Sequence, residues 1–108
     1  MRNLLSRVHL RIGEVISVEE LEGVCQQAYK LTIDFGPKIG KKLSSAQITN
    51  YPKNRLVGMK IICMTNVPAI TVGNFRSEVV VCGFYRQDGT VVLAIPEEDV
   101  PNGYSLCT

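Results

Sequence analysis

Residues 29–35, Tyr29-Lys30-Leu31-Thr32-Ile33-Asp34-Phe35, place apolar side chains at every odd position and set Lys30, Thr32 and Asp34 between them. Strict alternation is the signature of a strand that buries one face and wets the other. The same pattern appears in Val8-His9-Leu10-Arg11-Ile12, after which Gly13 is expected to interrupt the strand as a bulge or bend. Met59–Thr65, Val79–Phe84 and Val91–Ile95 are apolar runs that read as strands buried on both faces. The last two are joined by Tyr85-Arg86-Gln87-Asp88-Gly89-Thr90, where Asp-Gly supplies the positive φ of a hairpin loop.

Helical signals are sparse. Ser17-Val18-Glu19-Glu20 fits a capping box, but Gly23 follows soon after and no 3.6-residue stripe continues it. It is read as a turn, or one helical turn, between the first two strands. The chain has 108 residues and one domain's worth of sequence, so a single domain over 1–108 is expected. Short strands separated by Gly, Pro and Asn loops at that length predict an all-β fold, a small closed or nearly closed barrel. Pro96–Thr108 keeps Val100, Tyr104 and Leu106 among its prolines and reads as an ordered extension that packs on the body.

Several function classes recede on composition. No apolar run is long enough to span a bilayer, so no membrane insertion is expected. Cys25, Cys63, Cys82 and Cys107 lack metal or redox spacing, and His9 is the sole histidine. With no apolar leader at the N-terminus, the thiols are read as reduced and the chain as cytoplasmic. Three of them lie in or beside apolar segments, where free cysteine acts as a small hydrophobe. Gly36-Pro37-Lys38-Ile39-Gly40-Lys41-Lys42 lacks the spacing of a Walker loop. Glu97-Glu98-Asp99 reads as solvated loop charge. The expectation is a non-catalytic protein without cofactor or metal.

Charge is unevenly laid out. Residues 1–29 carry three Arg and four Glu; residues 61–108 carry two Arg and five acids. Residues 30–60 hold Lys30, Lys38, Lys41, Lys42, Lys53, Arg55 and Lys60 against Asp34 alone, a net +6 inside a chain of net +2. Such a middle third is either a footprint for phosphates or a pair of lysine-decorated loops, and charge alone favours the second. If it binds nucleic acid, the scarcity of aromatics argues for backbone and shape recognition of folded RNA over stacking on splayed bases. Tyr51 is the one aromatic of that segment outside the alternating strand, and there is no Trp.

A family resemblance rests on Leu31-Thr32-Ile33-Asp34-Phe35-Gly36 followed by Ile39-Gly40-x-Lys42-x-Ser44-Ser45-Ala46-Gln47-Ile48-Thr49. It resembles the signature of the CsaA proteins within the tRNA-binding domain family. That family also includes the C-terminal domain of some methionyl-tRNA synthetases and endothelial monocyte-activating polypeptide. Leu10-Arg11-Ile12-Gly13, Phe75-Arg76-Ser77-Glu78-Val79 and Pro101-Asn102-Gly103 resemble its other motifs, in the same order. The resemblance implies a five-stranded OB-fold barrel with short N- and C-terminal extensions, paired into a homodimer through them.

By the same resemblance, Arg11, Lys42, Ser44, Ser45, Asn66, Arg76 and Ser77 line an RNA-facing side; Lys41, next to Lys42 in the cationic segment, completes the expected RNA-binding set. Cations suit phosphates; hydroxyls and the amide suit phosphate or 2′-OH groups. Arg11 flanking the Gly13 bend, Ser44-Ser45 satisfying backbone groups and Asn66 forming a turn are the structural alternatives. The implied function is recognition of folded tRNA. The alternative is a chaperone-like role on exported preproteins or unfolded peptides, and a third reading is a module that docks on a synthetase. Ala69-Ile70-Thr71-Val72-Gly73-Asn74 departs from the pattern: it carries no cation where family members have basic residues followed by glycine. It leaves Ile70 and Val72 as an apolar lip better suited to peptide than to RNA.

Overall fold

The alternating segment forms β2 (Tyr29–Asp34), whose Tyr29, Leu31 and Ile33 are buried while Lys30, Thr32 and Asp34 stay partly exposed. The computed structural model describes residues 8–21 and 27–107. Within it β2 lies between β1 (Leu10–Glu20) and β3 (Lys41–Ala46) in a sheet ordered β3-β2-β1-β4-β7. The remaining members are β4 (Lys60–Met64) and β7 (Val80–Val81), and all the pairings are antiparallel. A hairpin of β5 (Ile70–Val72) and β6 (Phe75–Ser77) and another of β8 (Gly83–Tyr85) and β9 (Val91–Leu93) complete the strands. The result is a nearly closed, almost all-β barrel of the OB type, as expected.

The core gathers Val15, Leu31, Ile33, Phe35, Leu56, Ile61, Cys63 and Leu93. Fully burying side chains such as Leu31, Ile33 and Phe35 contributes about 1.5–3 kcal/mol each. Gly13 is needed for packing: a Cβ there would meet Ile33 Cγ2 and the Phe35 ring. It does not interrupt the strand, however. β1 runs straight through it, and the register shift falls between Val15 and Ser17. The capping-box reading is also corrected, because Ser17–Glu20 continue β1 and pair with Thr32 to Tyr29. Cys25 lies outside the described residues.

One further expectation changes, and one element is new. Val79–Phe84 is not one strand buried on both faces; it splits into β7 and β8, leaving Val80 and Phe84 exposed. A single helical turn, α1 (Lys53–Leu56), follows Pro52 and is anchored by buried Leu56. The C-terminal extension does pack. Ile12 N–H donates to Tyr104 O (2.9 Å), Gly103 N–H to Ile12 O (2.7 Å) and Leu106 N–H to Leu10 O (2.8 Å). This segment takes the edge of β1 that β2 leaves, and Gly103 (φ +89°) fits there because a Cβ would run into the Phe35 carbonyl.

Burial pushes the Cys63 thiol up to about 12, with neighbouring Cys82 adding to the effect. Burial also raises Cys82. A raised folded-state pKa means the unfolded chain loses its proton first as pH climbs. Stability is then fully present below about 9 and declines up to about 12. Cys63→Val should remove that slope: urea denaturation of the wild type should show a few kcal/mol more loss between pH 8 and 11 than the variant. Parallel losses in the two proteins would show that the buried thiol does not set the slope.

Candidate nucleic-acid interface

Register sorts the candidate residues by face, since directly paired residues in a sheet share one side. Lys41, Leu43 and Ser45 pair with Asp34, Thr32 and Lys30, on the outer face of β2. Lys42, Ser44 and Ala46 pair with Ile33, Leu31 and Tyr29, on the core side. Lys42 is only partly buried, but Ser44 is 0% exposed. On the outer face β1 contributes Glu14 beside Asp34, Ser17 beside Thr32 and Glu19 beside Lys30, so acids interleave with the cations.

The hydroxyl motif closes the barrel. Ser44 Oγ donates to Val79 O (2.7 Å), while Ser77 Oγ, itself buried, accepts from Ser45 N–H (3.0 Å). Glu78 Oε1 accepts from Leu43 N–H (3.0 Å), and Glu78 N–H donates to Leu43 O (2.7 Å). The free edge of β3 is thus sealed by residues 77–79, with side-chain oxygens standing where a partner strand's carbonyls would be. Ser44 and Ser77 are brought together as internal clamps, and only Ser45 keeps a partly exposed side chain.

Arg11 and Asn66 take no part in this seam. Arg11 Nη1 donates to Gly103 O (2.8 Å), holding the C-terminal segment. Asn66 Oδ1 accepts from His9 N–H (2.8 Å) and ties its loop to the start of β1. Arg11 shares a cavity of about 470 Å³ with Lys38, Pro37 and Asn102 at the β2–β3 loop end. Arg76 is exposed on β6 opposite Thr71 and makes no ion pair among the described residues. Gly73 (φ +59°) takes the left-handed position of the β5–β6 turn, so Asn74 does not have to.

Among the seven cations of residues 30–60, four are engaged within the fold. Lys60 bridges Asp99 (2.8 Å) and donates to Val100 O, and Lys53 sits 3.7 Å from Glu20. Lys30 Nζ lies 5.5 Å from the centroid of the Phe75 ring, and the Arg55 guanidinium 5.1 Å from that of Tyr51. Tyr51 is buried and its hydroxyl accepts from Leu93 N–H, which withdraws it from base stacking. Lys38, Lys41 and Lys42 remain, all on the β2–β3 loop and the start of β3. Lys30 is absent from the sequence-derived set, although its place opposite Ser45 puts it on the same face; its position on the polar side of the alternating strand was the available signal.

The profile of the family described as "Putative tRNA binding domain" matches residues 10–105. The chain is a CsaA-like member of the tRNA-binding domain family. Its fold superposes on the CsaA chaperone protein of Picrophilus torridus with a TM-score of 0.93 at 41% identity, over 99% of this chain and 98% of that one. For chaperone CsaA of Bacillus anthracis the values are 0.91 and 39%, over 99% and 97%. A MetRS-related protein of Pyrococcus horikoshii shares the fold (TM-score 0.86, 22% identity, covering 99% and 96%). Methionine–tRNA ligase 1 of Bacillus anthracis is 28% identical over 101 residues, 93% of this chain, which spans only 15% of that ligase. In this chain the Ser-Ser and Ser-Glu motifs have an architectural task.

Proposed function

We propose that the chain binds folded tRNA without catalysis, as a cytoplasmic homodimer. The observation that carries this reading is the trio Lys38, Lys41 and Lys42, none of which forms a salt bridge among the described residues, in a member of a tRNA-binding family. Arg76 and the Ser45 hydroxyl extend the strip, Arg11 borders its Lys38 end, Asn66 stands apart in the loop tied to His9, and Ser44 and Ser77 hold its backbone in place. Phosphate contacts from such cations read shape and charge, with the hydroxyl available to a 2′-OH. The partner protomer is placed on the apolar face of Ile95, Tyr104 and Leu106, which stay exposed beside a groove of about 360 Å³. Pairing doubles the cationic strip and raises avidity without new contacts.

A second reading is favoured by a specific observation: an apolar trough lies on the far end of the same β3, lined by Ile70, Val79, Val80 and Val81. This supports binding of unfolded or exported polypeptides by this chain, and its CsaA relatives are named as chaperones. No helix among the described residues is long and apolar enough to cross a membrane. An electrophoretic-shift titration with unfractionated tRNA, repeated with a preprotein peptide as competitor, separates the readings. Binding of tRNA that peptide does not displace supports two surfaces; failure to bind tRNA at low salt removes the first reading.

A further inference from the structure

We propose that the trough beside β8 receives an extended segment of another polypeptide as an added strand. The inference rests on the peptide-binding reading above and gives it a site and a mode. β8 and β9 pair Gly83 with Leu93, Phe84 with Val92 and Tyr85 with Val91. Two hydrogen bonds bracket this ladder: Ala94 N–H to Cys82 O (3.0 Å) and Arg86 N–H to Thr90 O (2.8 Å). In an antiparallel pair bonded positions alternate, so Phe84 faces β9 while the N–H and C=O groups of Gly83 and Tyr85 point away from it.

The molecule seals two comparable edges with side chains. Asn50 exchanges hydrogen bonds with both backbone groups of Val91, and Tyr51 Oη accepts from Leu93 N–H, which closes the outer edge of β9. Ser77 and Glu78 close β3 in the same manner. Among the described residues, none takes the outward groups of Gly83 and Tyr85. They border a trough of about 300 Å³ whose far wall is β3's end and residues 79–81. An open edge of this kind is a template for another strand.

The lining decides the occupant. It contains no charged side chain, and Ile70, Val80, Phe84 and Tyr85 stand 60%, 48%, 68% and 78% exposed. Phosphates find no counter-charge there, whereas the uncharged lining matches a segment with apolar side chains at alternate positions. The dimer proposed above uses the face of Ile95, Tyr104 and Leu106 instead, which leaves this trough to another polypeptide. Main-chain bonds to Gly83 and Tyr85 would give affinity with little sequence demand; the alternating side chains would select apolar segments.

The test uses the full chain and acetyl-Thr-Val-Thr-Val-Thr-Val-Lys-amide with fluorescein on the lysine side chain, followed by fluorescence anisotropy. A second peptide carries N-methyl groups on alternate residues, which keeps the side chains and removes ladder donors on one edge; both methylation registers are tried. We expect at least one register to weaken binding by roughly tenfold or more, the loss of two ladder bonds. Amide hydrogen exchange should slow at Gly83 and Tyr85 when the parent peptide binds, and Val80→Glu should weaken binding comparably. Equal affinity for parent and both methylated peptides overturns strand addition, as does protection confined to Tyr104–Cys107; both leave the peptide reading intact. Absence of binding by this peptide and by an unfolded preprotein alike removes that reading and the inference with it.

Discussion

Replacing Lys41 and Lys42 together by alanine is expected to weaken tRNA binding roughly ten- to hundredfold while leaving the fold intact. Lys41 is exposed and Lys42 partly so, and neither forms an ion pair among the described residues, so their removal leaves no buried group stranded. The more diagnostic readout is the salt dependence. Each phosphate contact contributes about 0.7–0.9 to the slope of log affinity against log salt, so the double variant should flatten it by roughly 1.4–1.8. Lys53→Ala and Lys60→Ala serve as controls, since these cations already face Glu20 and Asp99. Equal losses from all four substitutions would mean that net charge, not the β3 strip, governs binding.

The second large effect is on stability. Ser77→Ala combined with Glu78→Ala deprives the Ser45 and Leu43 N–H groups of their acceptors and opens the seam between β3 and residues 77–79. Two backbone donors left without acceptors in a partly buried seam cost about 3 kcal/mol together. Domains of this size have roughly 5–15 kcal/mol in total, so the melting temperature should fall by roughly 10–20 °C. Ser77→Thr, which keeps the oxygen, should recover part of it. An unchanged melting temperature with reduced tRNA affinity would move Ser77 and Glu78 from the seam to the RNA contact.

That prediction bears on what the sequence could reveal. β2 was legible because its alternation is unbroken and its buried side is entirely apolar. The distal half of β1 was not. The irregularity after Val15 inserts one residue, so Val15 and Val18 both face inward three positions apart and the alternation disappears. Ser17-x-x-Glu20 then imitates a helix start although both residues belong to a strand. α1 is a single turn, too short to leave a period. The split at Cys82 was hidden because a continuous apolar run looks the same whether both faces are covered or one is bare.

The candidate site was legible as a region and less so residue by residue. The excess of lysine in residues 30–60 pointed to β2, β3 and their loop, but pairing with Glu20 and Asp99 depends on contacts distant in sequence. The family motif singled out Ser44 and Ser77 together with Ser45. Only register and burial separate an exposed hydroxyl from one that closes the barrel. Arg11 illustrates the same limit: its carbonyl partner lies 92 positions away.

The central claim is that a cationic strip on β3 and its preceding loop holds folded tRNA through phosphates. Its most direct test is the affinity of the wild-type chain for unfractionated tRNA as a function of salt, measured by electrophoretic shift. Engagement of Lys38, Lys41, Lys42 and Arg76 in one protomer predicts an affinity falling roughly 50- to 150-fold between about 50 and 200 mM salt. An affinity that does not change across that range, or no binding at its lower end, would contradict the account.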